Sequence, residues 1–260
     1  MSFDSERKGT GTAEWAEVTE NICRGCPNNC LYCYAAHNAN RFKQRSRSDW
    51  EREEFTKRAD MTSYPARDGV VMFPSSHDIT PFNLEVYIRI ARLILQKGNR
   101  LLIVSKPRME CIYAIMSEFA DYKDRILFRF TIGSMATATC NFWEPGAPSP
   151  GERVACLRAA FELGFRTSVS IEPMLAGIGM VERVIDACER YVTDTIWIGK
   201  MNKIRTRVSA EHADAVENIE WLQRDSEILR MFRYYDGSDK VRWKDSIKEV
   251  VAKIAPDMHR

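Results

Sequence analysis

Short, continuous apolar runs alternate along this chain with longer segments in which apolar residues recur at helical spacing. Val70-Val-Met-Phe73, Leu101-Leu-Ile-Val104, Ile126-Leu-Phe-Arg-Phe-Thr-Ile132, Thr167-Ser-Val-Ser-Ile171 and Thr195-Ile-Trp-Ile198 read as strands. They are short for helices and rich in the β-branched and aromatic residues that pleated surfaces favour. Between them the spacing predicts helices near 81–97, 107–120, 180–191 and 209–231. Thr80-Pro81 suits a helix start and Gly98 a helix stop. Ser149-Pro150-Gly-Glu152 combines an N-cap, a first-turn proline and the acidic partner of a capping box. Val154, Leu157, Ala160 and Phe161 follow at helical spacing, and Gly164 ends that element.

Apolar strands alternating with helices imply a parallel sheet covered on both faces. With a first strand near Ala16 to Ile22 there are six β/α units, fewer than the eight of a closed barrel. The expected fold class is therefore α/β, an open partial (β/α)6 TIM-type barrel with parallel strands. A single domain over 1–260 is expected, with its core at about 15–208 and a C-terminal helical extension at about 209–260. No segment repeats with a period of tens of residues, and no low-complexity linker divides the chain.

At 45% hydrophobic and 28% charged residues the composition is that of ordinary globular material. Lys plus Arg total 38 against 36 for Asp plus Glu, so no global charge argues for nucleic-acid binding. The opening Met1-Ser-Phe-Asp-Ser-Glu-Arg-Lys has no apolar h-region, and no run approaches a membrane span. A cytoplasmic protein with no membrane partner is expected. A disulfide framework suits small secreted domains, not a chain of 260 residues. Cys111, Cys140, Cys156 and Cys188 lie scattered in apolar stretches, as reduced core cysteines do.

The chemistry concentrates in Cys26-Pro-Asn-Asn-Cys30-Leu-Tyr-Cys33-Tyr, a CxxxCxxC spacing. Thiolates are the usual protein ligands of iron–sulfur clusters. Three of them on one loop can hold three irons of a [4Fe–4S] cube and leave the fourth open. Cys23, Cys26, Cys30 and Cys33 could instead bind zinc, although structural zinc sites usually pair two knuckles across a long spacer. The cysteine pattern resembles that of the radical S-adenosylmethionine (SAM) superfamily. The resemblance implies two cofactors, a [4Fe–4S] cluster on Cys26, Cys30 and Cys33, and SAM on its open iron. It also implies an electron donor such as flavodoxin or ferredoxin, and a 5′-deoxyadenosyl radical that takes hydrogen from a substrate. Asn21-Ile-Cys-Arg-Gly-Cys26, Glu144-Pro-Gly-Ala-Pro-Ser-Pro-Gly-Glu-Arg153 and Thr167-Ser-Val-Ser-Ile-Glu-Pro173 are similar to the branch related to DNA repair photolyases and spore photoproduct lyase.

That resemblance places Tyr32 near the cluster and adenine, and Ser75, Ser76 and Asp78 near SAM or substrate. Asp78 and Thr80 also stand where helix caps occur. Ser105 and Lys106 end the third proposed strand, and a lysine suits a carboxylate as a point charge. Glu144 lies in a connection, whereas Glu172 falls at a strand end on the expected active face. Spore photoproduct lyase has a hydrogen-donating cysteine after the second strand, where this chain has Ser75 and Ser76. Cys140 is the alternative donor and catalytic candidate, against its reading as a buried structural thiol. Cys23 stands where relatives have an aromatic residue.

Two basic segments, Arg41, Lys43, Arg45 and Arg47, and Lys200, Lys203, Arg205 and Arg207, are candidates for a phosphate backbone. Tyr234, Tyr235 and Trp243 are candidates for base stacking. Solvated faces and core edges are the competing readings. The expected function is a radical SAM enzyme acting on an unidentified substrate, nucleic acid being one candidate. The alternative is a non-catalytic iron–sulfur or zinc module that binds a nucleic-acid or protein partner.

Overall fold

The computed structural model describes Phe3 and residues 9–255. Val18–Thr19 forms β1, Cys23–Arg24 forms β2, and the first helix, α1, spans Tyr34–Arg41. Glu54–Phe55, β3, pairs antiparallel with β2. Then β4 (Val70–Met72), α2 (Leu84–Gln96), β5 (Arg100–Ser105), α3 (Met109–Glu118) and β6 (Ile126–Thr131) alternate. Two helices, α4 (Thr137–Trp143) and α5 (Pro150–Glu162), precede β7 (Arg166–Ile171). After α6 (Ile178–Cys188) and β8 (Ile196–Ile198) come α7 (Ile204–Arg207), α8 (Ala213–Leu222) and α9 (Asp225–Tyr235). The last strand is β9 (Val241–Trp243), followed by α10 (Asp245–Ile254).

Seven strands form one sheet in the order β1-β4-β5-β6-β7-β8-β9, with every neighbouring pair parallel. The sheet curls into a half-barrel, the partial barrel expected from the sequence with one strand more. That strand corrects the reading of 209–260 as helical. Val241-Arg-Trp243 is too short to carry a strand pattern, and it becomes one by pairing Val241 with Ile196 and Trp243 with Ile198. The long helix expected over 209–231 is likewise divided. The buried Gln223 amide donates to the Met174 carbonyl at 2.8 Å and accepts from the Met201 N–H at 2.9 Å, so the chain breaks there to reach two loops.

The strands read as apolar because both faces are covered. Leu101, Ile103, Phe128 and Phe130 pack into the main core beneath the helices. Leu102 and Leu127, one position along, join Trp15 and Trp197 on the other face. Buried Arg129 shares that inner side, donating to Ser168 Oγ at 2.9 Å with its guanidinium 4.8 Å from the Trp15 ring centre. Ser149 caps α5 by accepting from the Glu152 N–H at 3.2 Å. Glu152 does not complete the expected box. Its carboxylate accepts from the Met109 N–H at 3.0 Å, satisfying the N-terminus of α3, which has no side-chain cap of its own. Among the described residues no helix is long and apolar enough to cross a membrane.

Candidate functional site

Parallel β/α sheets gather side chains at the carboxyl ends of their strands, and here those ends surround a cavity of about 510 Å³. Cys26, Cys30 and Cys33 line it. Their loop is held at several points. Gly25 has φ +92°, and a Cβ there would collide with the Arg52 and Trp50 carbonyls. The Cys26 N–H donates to Trp50 O at 2.8 Å, and the Leu31 N–H to Trp143 O at 2.9 Å. Arg47 donates to the carbonyls of Asn29 at 3.2 Å and Cys30 at 3.0 Å. Cys33 is the N-cap of α1, its Sγ accepting from the Ala36 N–H at 3.4 Å.

All three thiols are free. Burial pushes Cys26 well up and Cys30 to about 12, although Lys106 opposes the rise at Cys30. Metal binding must therefore displace protons from them. Among the described residues no three His, Cys, Asp or Glu side chains converge as on a single ion. A cube spreads its thiolates over separate irons and needs no such convergence. Cys23 packs in the main core beside Glu53 and Asn83, apart from the three cysteines on the cavity wall.

Asp78 connects the walls. Its Oδ1 accepts from the Ser105 hydroxyl and from the Ile79 N–H at 2.8 Å. Its Oδ2 accepts from Asn28 Nδ2 at 2.7 Å and from the Lys106 N–H at 2.9 Å. One buried carboxylate thus joins the cysteine loop to the loops after β4 and β5. Beside it, His77 Nε2 accepts from the Ile22 N–H at 3.1 Å, and burial lowers the His77 pKa. Asn21 orders the serines. Its Oδ1 accepts from the N–H groups of Ser75 at 2.9 Å and Ser76 at 2.7 Å, and its Nδ2 donates to Ser75 Oγ at 2.8 Å.

Under Cys30 lies a buried charge network. The Tyr32 hydroxyl donates to Glu144, whose other oxygen is 2.6 Å from the Arg153 guanidinium. Lys106 Nζ lies 3.7 Å from Glu144 and 5.7 Å from the centre of the Tyr32 ring. Burial alone would raise the Glu144 pKa, but Lys106 and Arg153 outweigh it and hold the carboxyl below its usual range. Burial likewise opposes charge on Lys106, and Cys30 and Glu144 reverse that, leaving its pKa raised.

Across the cavity, Lys244 follows β9. Its Nζ is 2.6 Å from Glu14, 3.5 Å from Glu172 and 2.7 Å from the Gly11 carbonyl. Burial raises Glu172, with Lys244 partly offsetting it, and pushes Glu14 up to about 7. Arg207 and Lys200 complete this wall.

A family model described as the Radical SAM superfamily matches residues 21–191, more than half of the chain. The chain belongs to the radical SAM superfamily. That superfamily uses a [4Fe–4S] cluster and SAM, and three free thiols on one cavity wall are a fitting donor set for such a cluster. The uncharacterized protein ORF301 of Acidianus two-tailed virus is 24% identical over 238 residues, covering 82% of this chain and 76% of the relative. SuiB of Streptococcus suis, in a crystal structure bound to S-adenosylmethionine, matches with a TM-score of 0.54 at 9% identity. The match covers 90% of this chain and 51% of SuiB, so the chain spans about half the length of that protein.

The structure brings together ten residues singled out from the radical SAM resemblance: Cys26, Cys30, Cys33, Tyr32, Ser75, Ser76, Asp78, Ser105, Lys106 and Glu172 all line the cavity. Asp78 and Ser105 are turned toward each other and to protein donors. Cys140 lies elsewhere, buried in α4 with its thiol donating to the Ser134 carbonyl at 3.5 Å, off the cavity wall. Burial pushes its pKa to about 11. Of the first basic segment, Arg45 binds Arg24 O and Glu54, and Arg47 braces the cysteine loop. In the second, Arg205 is closed by Glu220 at 2.8 Å. Sequence reasoning missed Asn28, Arg153, Glu14 and Lys244. Asn28, Glu14 and Lys244 act through partners distant in the chain, and Arg153 through Glu144 at the other end of its connection, so no local spacing marks them.

Proposed function

We propose that this chain is a hydrogen-abstracting radical SAM enzyme in which Cys26, Cys30 and Cys33 hold the [4Fe–4S] cluster. SAM lies in the adjoining cavity, and the substrate enters beside Arg207 and Lys244. The observation that carries this reading is the shared cavity, where the three thiols face the polar groups of Ser76, Lys106 and Glu172. When bound, the cluster and SAM supply a 5′-deoxyadenosyl radical, the hard chemistry that the protein itself does not provide. The residues bind, orient and exclude water. The Lys106 ammonium opposes the negative charge of a thiolate-ligated cluster, and Asp78 fixes Lys106 through its backbone N–H. The Tyr32 ring is held by Glu144, and the Ser76 hydroxyl and the Glu172 oxygen turned away from Lys244 are available for the polar groups of SAM.

The finer reading is a lyase-like enzyme of the branch related to DNA repair photolyases and spore photoproduct lyase. Its support is that the two resembling segments bring Glu144 to Cys30 and Glu172 to the cavity wall. In that reading the substrate is nucleic acid, with Lys203 and Arg207 as the cations left for its phosphates. An electron donor such as flavodoxin or ferredoxin would supply the reducing electron in that reading. Free thiols at all eight cysteines support a cytoplasmic location.

The test is formation of 5′-deoxyadenosine from SAM by anaerobically reconstituted protein under strong reductant, with Cys30→Ala alongside. Product from the unsubstituted protein alone supports the proposal. Full iron content and unchanged SAM cleavage in Cys30→Ala overturn it.

A further inference from the structure

Arg207 ends α7 and lies half-buried on the cavity wall. Burial lowers its pKa, although Cys33 and Glu172 are near enough to favour its charge. Its backbone N–H donates to the Lys203 carbonyl at 3.2 Å, but its guanidinium makes no hydrogen bond or ion pair among the described residues. The other cations on this wall, and Arg205 beside it, are engaged. Arg205 is closed by Glu220, Lys244 by Glu14 and the Gly11 carbonyl, and Lys200 lies 3.9 Å from Asp225. The nearby carboxylate is also engaged, since Glu172 faces Lys244 at 3.5 Å.

A guanidinium withdrawn from water without partner oxygens is unfavourable. Its position is nonetheless imposed, because buried Ile204 anchors α7 against Met201 and Val208 in the packing around Cys30. The fork of Arg207 matches the two oxygens of a carboxylate or phosphate. Lys200 and Asn202, from the connection between β8 and α7, line the same cavity and add donors.

We infer that Arg207 anchors an anionic group, a carboxylate or phosphate, on the substrate of this enzyme, an inference that rests on the function proposed above. The same chemistry exists on SAM, whose methionyl carboxylate is the competing source. An anchored anion holds the rest of the substrate at a fixed distance from Cys33 and thus from the cluster.

Calorimetric titration of the reconstituted protein with acetate, inorganic phosphate and pyrophosphate, with and without SAM and at constant ionic strength, tests the anchor. Saturable binding is expected that weakens about ten-fold or more in Arg207→Gln and partly recovers in Arg207→Lys. Iron content and SAM binding, measured by equilibrium dialysis, should be unchanged in Arg207→Gln. Loss of SAM binding in that variant assigns the cation to the SAM carboxylate and overturns the inference. So does anion binding that is absent or unaffected by the substitution. Iron content and SAM binding of the unsubstituted protein report separately on the proposed function, so the two can fail independently.

Discussion

Asn28 Nδ2 donates to Asp78 Oδ2 across 2.7 Å, between two buried side chains. The bond ties the middle of the cysteine loop to the segment after β4, and Asp78 carries it on to Ser105 and Lys106 after β5. From the other side Arg108 donates to Asn28 Oδ1 at 2.9 Å and to the Gly146 carbonyl at 2.8 Å. The cysteines are therefore positioned by polar contacts from separate loops.

Asp78→Ala leaves the Asn28 amide, the Ser105 hydroxyl and two backbone N–H groups without their acceptor. A loss of about 3 kcal/mol or more is expected, since each orphaned buried donor is costly. Iron retention should fall with it. Thermal melts and iron per chain check this, and unchanged values in Asp78→Ala would refute the role.

Removing one partner of a buried ion pair strands the other charge. Glu144→Ala should destabilise by about 3–5 kcal/mol, with Arg153 and Lys106 left facing each other. Replacing Glu144 and Arg153 together by apolar residues should cost less than the sum of the single changes. Denaturant unfolding of the two single variants and the double measures the coupling.

Gly146 approaches the Pro27 carbonyl so closely that an added Cβ would overlap it. Gly146→Ala should displace the cysteine loop and lower cluster loading while leaving far-ultraviolet circular dichroism unchanged. Iron content after reconstitution, set beside the spectrum, is the measurement. Normal loading would show that the loop yields without disturbing its thiols.

Burial raises the Glu14 pKa from 4.5 to about 7 against the pull of Lys244. The folded protein then binds a proton that the unfolded chain has released. Its contribution to stability is complete below about 4.5 and is lost as pH rises through about 7. Glu172, also raised by burial, acts with the same sign. Glu14→Gln should flatten the fall in unfolding free energy over that window, as read from denaturant midpoints at several pH values. An unchanged slope would argue against the shift.

Much of the barrel was legible before any coordinates. Strands such as Leu101 to Ile103 are buried on both faces, so nearly every residue is apolar and the run stands out. The CxxxCxxC loop is equally local, because its three cysteines fall within one short stretch of chain. The polar residues at the carboxyl ends of the strands were legible for a related reason: a parallel sheet sends them to one place whatever the loops between them do.

Other features had no local signature. Glu152 looked like half of a capping box and instead serves α3, while Gln223 interrupts a regular helical pattern to bind two loops. Arg45 and Arg47 looked like surface cations, yet Arg45 is closed by Arg24 O and Glu54 and Arg47 braces the cysteine loop. Lys244 meets the Gly11 carbonyl across 233 positions of sequence, and β9 exists because β8 offers it an edge. Periodicity and spacing register what a residue does to its chain neighbours. A buried charge, a seventh strand and an unpaired arginine take their meaning from groups that folding alone brings within a few ångströms.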